Sequence, residues 1–121
     1  LTAPLFLCEI DLASLFAGKV PEFKELSKFP EIRRDIAVVV DNSVSAARMI
    51  DDVKMAAVTY LTELTLFDVY TGKGIDPNRK SLGLGLTFRD QSRTLGDEDV
   101  NLAVGQVIDL LKKNYNAELR K

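Results

Sequence analysis

Between Lys80 and Asp90 the chain alternates residue by residue, and the two sides of the alternation could hardly differ more. Leu82, Leu84, Leu86 and Phe88 fall on one side, and Ser81, Gly83, Gly85, Thr87 and Arg89 on the other. A period of two is the signature of a β-strand, whose successive side chains point to opposite faces of a sheet. One face of this strand is therefore packed against a hydrophobic layer. The other carries almost no side-chain bulk.

The flanking segments fix what surrounds that strand. Arg34 to Asp41 is β-branched, bounded by Pro30 and Asn42, and reads as a strand with Ile36, Val38 and Val40 opposite Asp35, Ala37 and Val39. Ser45 is an N-cap candidate, because its hydroxyl can accept from a free amide of a first helical turn. Ala46, Ile50, Val53, Ala57, Tyr60 and Leu64 then recur at three- and four-residue steps, which predicts a helix from about Ser45 to Tyr60. Thr62 to Thr71 follows as a strand, and Gly72 to Asn78 holds the residues of a chain reversal. After the glycine-bearing strand, Thr94-Leu95-Gly96-Asp97 has the spacing of a capping box. A helix striped by Val100, Ala103, Val104, Val107, Leu111 and Tyr115 is expected next, with Asn116 ending it in the left-handed conformation. Ala117 to Arg120 reads as a short last strand.

Strand, helix, strand, strand, helix, strand is the order of two interleaved β-α-β units. The fold class expected is α+β, a ferredoxin-like βαββαβ two-layer sandwich of the RRM-like kind, with a four-stranded antiparallel sheet and both helices on one face. Three regions are expected: 1–20, 21–33 and 34–121. In residues 5–12, Phe6, Cys8, Ile10 and Leu12 alternate with Leu7, Glu9 and Asp11. Residues 1–20 are accordingly read as a strand left from a neighbouring module, the alternative being an additional edge strand of the same domain. Residues 21–33 form a connecting arm, and the absence of an initiator Met suggests a piece of something longer.

Composition narrows the chemistry. Apolar residues at 46% and charged residues at 28% describe an ordinary globular domain. The longest apolar run, Ile36 to Val40, is far below the ~20 residues of a membrane span. With no histidine and one cysteine, Cys8, zinc sites of the common kinds and Ser-His-Asp catalysis are not available, and a reduced, cytoplasmic setting fits. Sixteen basic and eighteen acidic residues give a net charge of −2. A protein that holds nucleic acid through phosphates alone is strongly basic, so any such role here must rest on a local site.

That local site is sought on the face away from the helices. Ala37, Ser81, Gly83 and Gly85 leave the centre low, and Asp68, Tyr70, Arg89 and Arg120 rim it, with Phe67 and Val69 assigned to the helix side. A flat ligand can approach a strand backbone that lacks side chains. A tyrosine can stack on a base for about 1–3 kcal/mol, and a carboxylate accepts from amino and imino groups. Single-stranded RNA is read by such combinations. Glycines in a strand equally mark a bulge or the close approach of another chain. Two further motifs carry less: Gly72-x-Gly74 is followed by Pro77 and a strand where a phosphate loop needs a helix, and Asp97-Glu98-Asp99 fits helix capping better than a metal site.

Phe29-Pro30-x-x-Arg33-Arg34-Asp35-Ile36-Ala37 resembles the ferredoxin-fold anticodon-binding domain of bacterial phenylalanyl-tRNA synthetase beta subunits. Leu66-Phe67-Asp68-Val69-Tyr70-x-Gly72, Lys80-Ser81-Leu82, Thr87-Phe88, Arg93-Thr94-Leu95 and Leu119-Arg120 continue the resemblance in order. It implies a tRNA-binding module with no catalytic site in this chain, belonging to an (αβ)₂ ligase whose alpha subunit performs the ATP- and magnesium-dependent chemistry. No cofactor is implied for the chain itself, which alone would be a monomer. Asp68 and Tyr70 match the anticodon-contacting positions of that family, and Ala37 and Ser81 match those flanking the first anticodon base of tRNA(Phe). Gly83, Arg89 and Arg120 are expected at the RNA-contacting rim, and Arg34 in a structural role, paired near Asp35 or a strand end, the alternative being a contact to phosphate. Asn116 stands where the family often has Gly. The rival reading is a ferredoxin-like protein-interaction or small-ligand-sensing domain.

Overall fold

A computed structural model describes residues 2–120; Leu1 and Lys121, the outer limits of the first and last expected regions, lie outside the described residues. Four strands and two long helices follow one another as β1 (Ile32–Asp41), α2 (Ala46–Met55), β2 (Leu61–Tyr70), β3 (Arg79–Phe88), α3 (Asp97–Tyr115) and β4 (Glu118–Leu119), after a single helical turn, α1 (Leu12–Leu15). The sheet order is β2-β3-β1-β4. All three neighbouring pairs are antiparallel, as the ferredoxin-like reading requires.

The core lies between sheet and helices. Val38 and Val40 of β1 and Leu82, Leu84, Leu86 and Phe88 of β3 pack with Met49 and Val53 of α2 and Val100, Ala103, Val107 and Leu111 of α3. Each of these side chains is removed from water almost entirely, worth about 1.5–3 kcal/mol for the larger ones. Tyr115 of α3 donates its hydroxyl to Asp52 of α2 and ties the ends of the two helices together.

Local chemistry shifts several boundaries. Helix α2 stops at Met55, because Ala57 and Tyr60 have positive φ and turn the chain into β2; neither belongs to the helical stripe, and Met49 takes a core place instead. The N-cap of α3 is Gly96, not Thr94: the Asp99 carboxylate accepts from the Gly96 amide at 3.0 Å. Arg93 grips the same carboxylate at 2.7 and 2.9 Å, which holds Asp99 down at a pKa of about 2. Asn116 ends the helix at φ 49, ψ 38, as expected of a residue that tolerates the left-handed region.

Residues 5–12 do not form the expected strand. Asp11 caps the turn α1, and Phe6, Leu7, Phe16, Val20, Phe23 and Leu26 are all exposed. Among the described residues they pair with no strand of the sheet: β1 is flanked by β3 and β4, and the outer edges of β2 and β4 stay open. Strand β1 begins at Ile32, inside the expected arm, and the end of the arm is fastened by Glu31 pairing with Arg89 and by the Ser27 hydroxyl donating to the Asp90 carbonyl at 3.5 Å.

Candidate functional site

Cross-strand register sets out the helix-free face in rows. Tyr70 stands opposite Ser81, and Ser81 opposite Val39; Asp68 stands opposite Gly83, and Gly83 opposite Ala37. Beyond the second row, Arg120 donates its amide to the Ala37 carbonyl at 2.8 Å, which extends the pairing of the short strand β4. Ala37, Asp68, Tyr70, Ser81, Gly83 and Arg120 thus share two adjacent rows, about 7 Å apart along the strands.

Strand β2 reaches this arrangement through a bulge. Leu64 and Leu66 face the helices opposite Leu86 and Leu84, so unbroken alternation would send Asp68 inward as well. The register slips between Leu66 and Asp68, one residue is left over, and Asp68 and Tyr70 come out on the open face. The extra residue is Phe67. Its ring lies over Gly83 rather than on the helix side, at a distance that would leave an added Cβ 2.8 Å from Cε2.

The floor is consequently roofed by side chains. Ser81 is only 3% exposed, and Gly83 and Gly85 are buried too. Arg33 covers Gly85, with Nη2 2.9 Å from where a Cβ would be. The Arg120 guanidinium sits over the Tyr70 ring, 5.1 Å from its centroid, a cation–π contact bridging from the β4 side of the sheet to β2. Tyr70 donates its hydroxyl to the Lys73 carbonyl at 3.1 Å, and Gly72, at φ +148, leaves room for that hydroxyl where a side chain would approach within 3.2 Å. Among the described residues no helix or strand covers the face; side chains do.

Arg89 does not join the others. It stands just past the end of β3, eight residues or about 27 Å from Ser81, and its side chain is engaged with Glu31. Arg34 is structural, as expected, but its partner is Asp97 at the start of α3, at 3.0 Å; it is Arg33 that pairs with Asp35, also at 3.0 Å. Alternation had a signal for Arg33, which shares the parity of Asp35 and Ala37. The conflicting parities of Leu66 and Asp68 were the signal for the bulge and for Phe67. Among the described residues, no group of three His, Cys, Asp or Glu side chains assembles as a metal site, and no helix is long and apolar enough to cross a membrane.

A family model described as the ferredoxin-fold anticodon binding domain matches residues 27–120. The beta subunit of phenylalanine–tRNA ligase from Pseudomonas savastanoi pv. phaseolicola is 49% identical over 121 residues, 100% of this chain and 15% of that protein. Its counterpart from Coxiella burnetii is 43% identical over 121 residues, 99% of this chain and 15% of the relative. That of Pseudoalteromonas translucida is 41% identical over 115 residues, 95% and 14% respectively. The chain therefore spans only about 15% of the length of the curated relatives it matches.

Proposed function

Because the chain belongs to the ferredoxin-fold anticodon-binding domain family, we propose that it holds the anticodon loop of tRNA(Phe), reading one base on the Tyr70–Ser81 and Asp68–Gly83–Ala37 rows. The observation that supports this most is the bulge at Phe67, which turns a carboxylate and an aromatic ring onto the same face as the two glycines. A base stacked on Tyr70 competes with Arg120 for the ring. An exposed cation–π contact is worth about 0.5–1 kcal/mol, whereas base–aromatic stacking is worth about 1–3 kcal/mol, so the base prevails. Asp68, whose carboxylate has no hydrogen-bond partner among the described residues, is available to accept from amino and imino groups, and Ser81 offers a hydroxyl beside Tyr70. None of these groups breaks a bond. They hold and select.

The whole protein, on this reading, is a cytoplasmic phenylalanine–tRNA ligase in which an alpha subunit carries the ATP- and magnesium-dependent chemistry and this chain positions the tRNA. The exposed apolar residues between Phe6 and Leu26 then dock against a neighbouring module of the longer chain, where the alternation of residues 5–12 has a sheet to join. Tyr70→Ala tests the assignment in the complete enzyme. Charging of tRNA(Phe) should weaken by tenfold or more, roughly the stacking energy, while phenylalanine-dependent ATP–pyrophosphate exchange stays normal. Loss of both activities together would count against an anticodon role.

A further inference from the structure

Building on the anticodon reading, we propose that Arg33 grips the RNA backbone phosphate adjacent to the base held by the Tyr70 and Asp68 rows. Four arginines leave from this face; two are held by carboxylates, and a third, Arg120, lies on the Tyr70 ring until a base takes its place. Arg79 gives Nη1 to Glu118 at 2.8 Å and Nη2 to the carbonyls of Val39 and Asn116 at 3.1 Å; Arg89 pairs with Glu31; Arg120 rests on Tyr70. Arg33 differs. Its Nε donates to Asp35 Oδ1 at 3.0 Å, and among the described residues its two terminal nitrogens have no acceptor.

That bond does more than occupy one donor. It fixes the guanidinium plane across Gly85 and leaves the Nη1–Nη2 fork open, the end that fits two phosphate oxygens at once. Gly85 is two residues from Gly83, about 7 Å along β3, so the fork lies one phosphodiester link from a base resting over Gly83. The rest of the face explains why such a fork is needed. Asp35, Glu63, Asp68 and Glu118 place four carboxylates on it, and an RNA backbone crossing them needs a cation with donors to spare, which Arg33 keeps at Nη1 and Nη2 although its Nε is paired with Asp35. Arg33 is well exposed, with 61% of its side chain reachable by solvent.

The test uses the full-length protein that carries this chain and a tRNA(Phe) transcript, with binding measured between about 50 and 200 mM salt. A phosphate contact contributes to the slope of log K against log salt, by about 0.7 for a single strand. Arg33→Gln should flatten the slope by about that amount and weaken the cognate transcript and one with a changed first anticodon base by the same factor. Arg33→Lys should restore the slope but not the full affinity, because it returns the charge without the fork. An unchanged slope in Arg33→Gln, or an altered base preference, overturns the proposal; so does wild-type affinity in Arg33→Lys, which decides the matter even if the Gln variant fails to fold. Tyr70→Ala in the same assay separates the two readings: a base preference that survives it sinks the anticodon assignment, and the Arg33 slope is scored regardless.

Discussion

Gly83→Ala puts the low floor to the sharpest test, because it adds one methyl group where a base is proposed to lie. In the empty site that methyl would stand 2.8 and 2.9 Å from Cε2 and Cζ of Phe67 and 3.1 Å from Cβ of Asp68. The ring atoms are the far end of a side chain that is 55% exposed, so they move aside; the Asp68 Cβ is tied to the bulged backbone and gives way less. Replacing glycine favours folding by about 0.4–1 kcal/mol through the unfolded chain, while overpacking typically costs about 1–3 kcal/mol. The balance is a loss of about 1 kcal/mol, or a melting temperature lowered by roughly 4–8 °C for a domain of this size. RNA binding should suffer more. A base lifted from the backbone loses much of the stacking and polar contact worth about 1–3 kcal/mol, a fall in tRNA affinity of about tenfold. Gly85→Ala is the contrast for stability alone: its methyl meets Nη2 of Arg33 at 2.9 Å, the far end of a flexible side chain, and Oγ1 of Thr65 at 3.0 Å, and it should cost less than Gly83→Ala. Thermal melting followed by circular dichroism and tRNA(Phe) titration at one salt concentration give the two readouts. Gly83→Ala with undiminished tRNA affinity would refute the reasoning, whatever its stability.

Two further expectations concern stability. Asn116→Ala should cost about 1–2 kcal/mol in chemical denaturation, because alanine pays the left-handed penalty at φ 49, whereas Asn116→Gly should be neutral or slightly stabilising; equal behaviour of the two would contradict the cap. Asp99 titrates near 2 in the folded protein against 3.8 ordinarily, so its stabilising effect is complete above about pH 4 and lost as pH falls through 2. Asp99→Asn should therefore flatten the acid limb of a pH–stability profile between those values, and an unaltered limb would show that Arg93 and the Gly96 amide do not hold the carboxylate.

The fold was legible where burial enforced a period. In β3, Leu82 to Phe88 could face only one way, and β1 and α3 announced themselves as plainly because each buries a continuous apolar stripe. The site was legible in part. Asp68, Tyr70, Ala37, Ser81 and Gly83 do share a face, but Phe67 joined them against expectation, since one unpaired residue in β2 reverses parity and only long-range register with β3 reveals it. The bareness of the floor was overstated for a related reason: long side chains from other rows, Arg33 and Phe67, lie down over glycines, and alternation says which face a residue leaves from but not where its end comes to rest. Residues 5–12 alternate without pairing: they join neither β1, which β3 and β4 flank, nor the open edges of β2 and β4. Thr94 matched a capping pattern, yet the carboxylate of Asp99 reached the amide of Gly96 first. Ala57 carries no local signal for its positive φ; the demand comes from where β2 has to begin.

The slip in β2 has an effect beyond the site. At ten residues, β2 is the long outermost strand of the sheet, with one flank of amides and carbonyls turned to solvent, the kind of template on which proteins polymerise. Its two register breaks, near Leu61 and near Phe67, distort that flank, and Glu63 and Asp68 post negative charge along it. The same irregularity that exposes a recognition surface therefore guards the molecule against self-templated stacking, so straightening β2 to tidy its hydrogen bonds would invite fibrils.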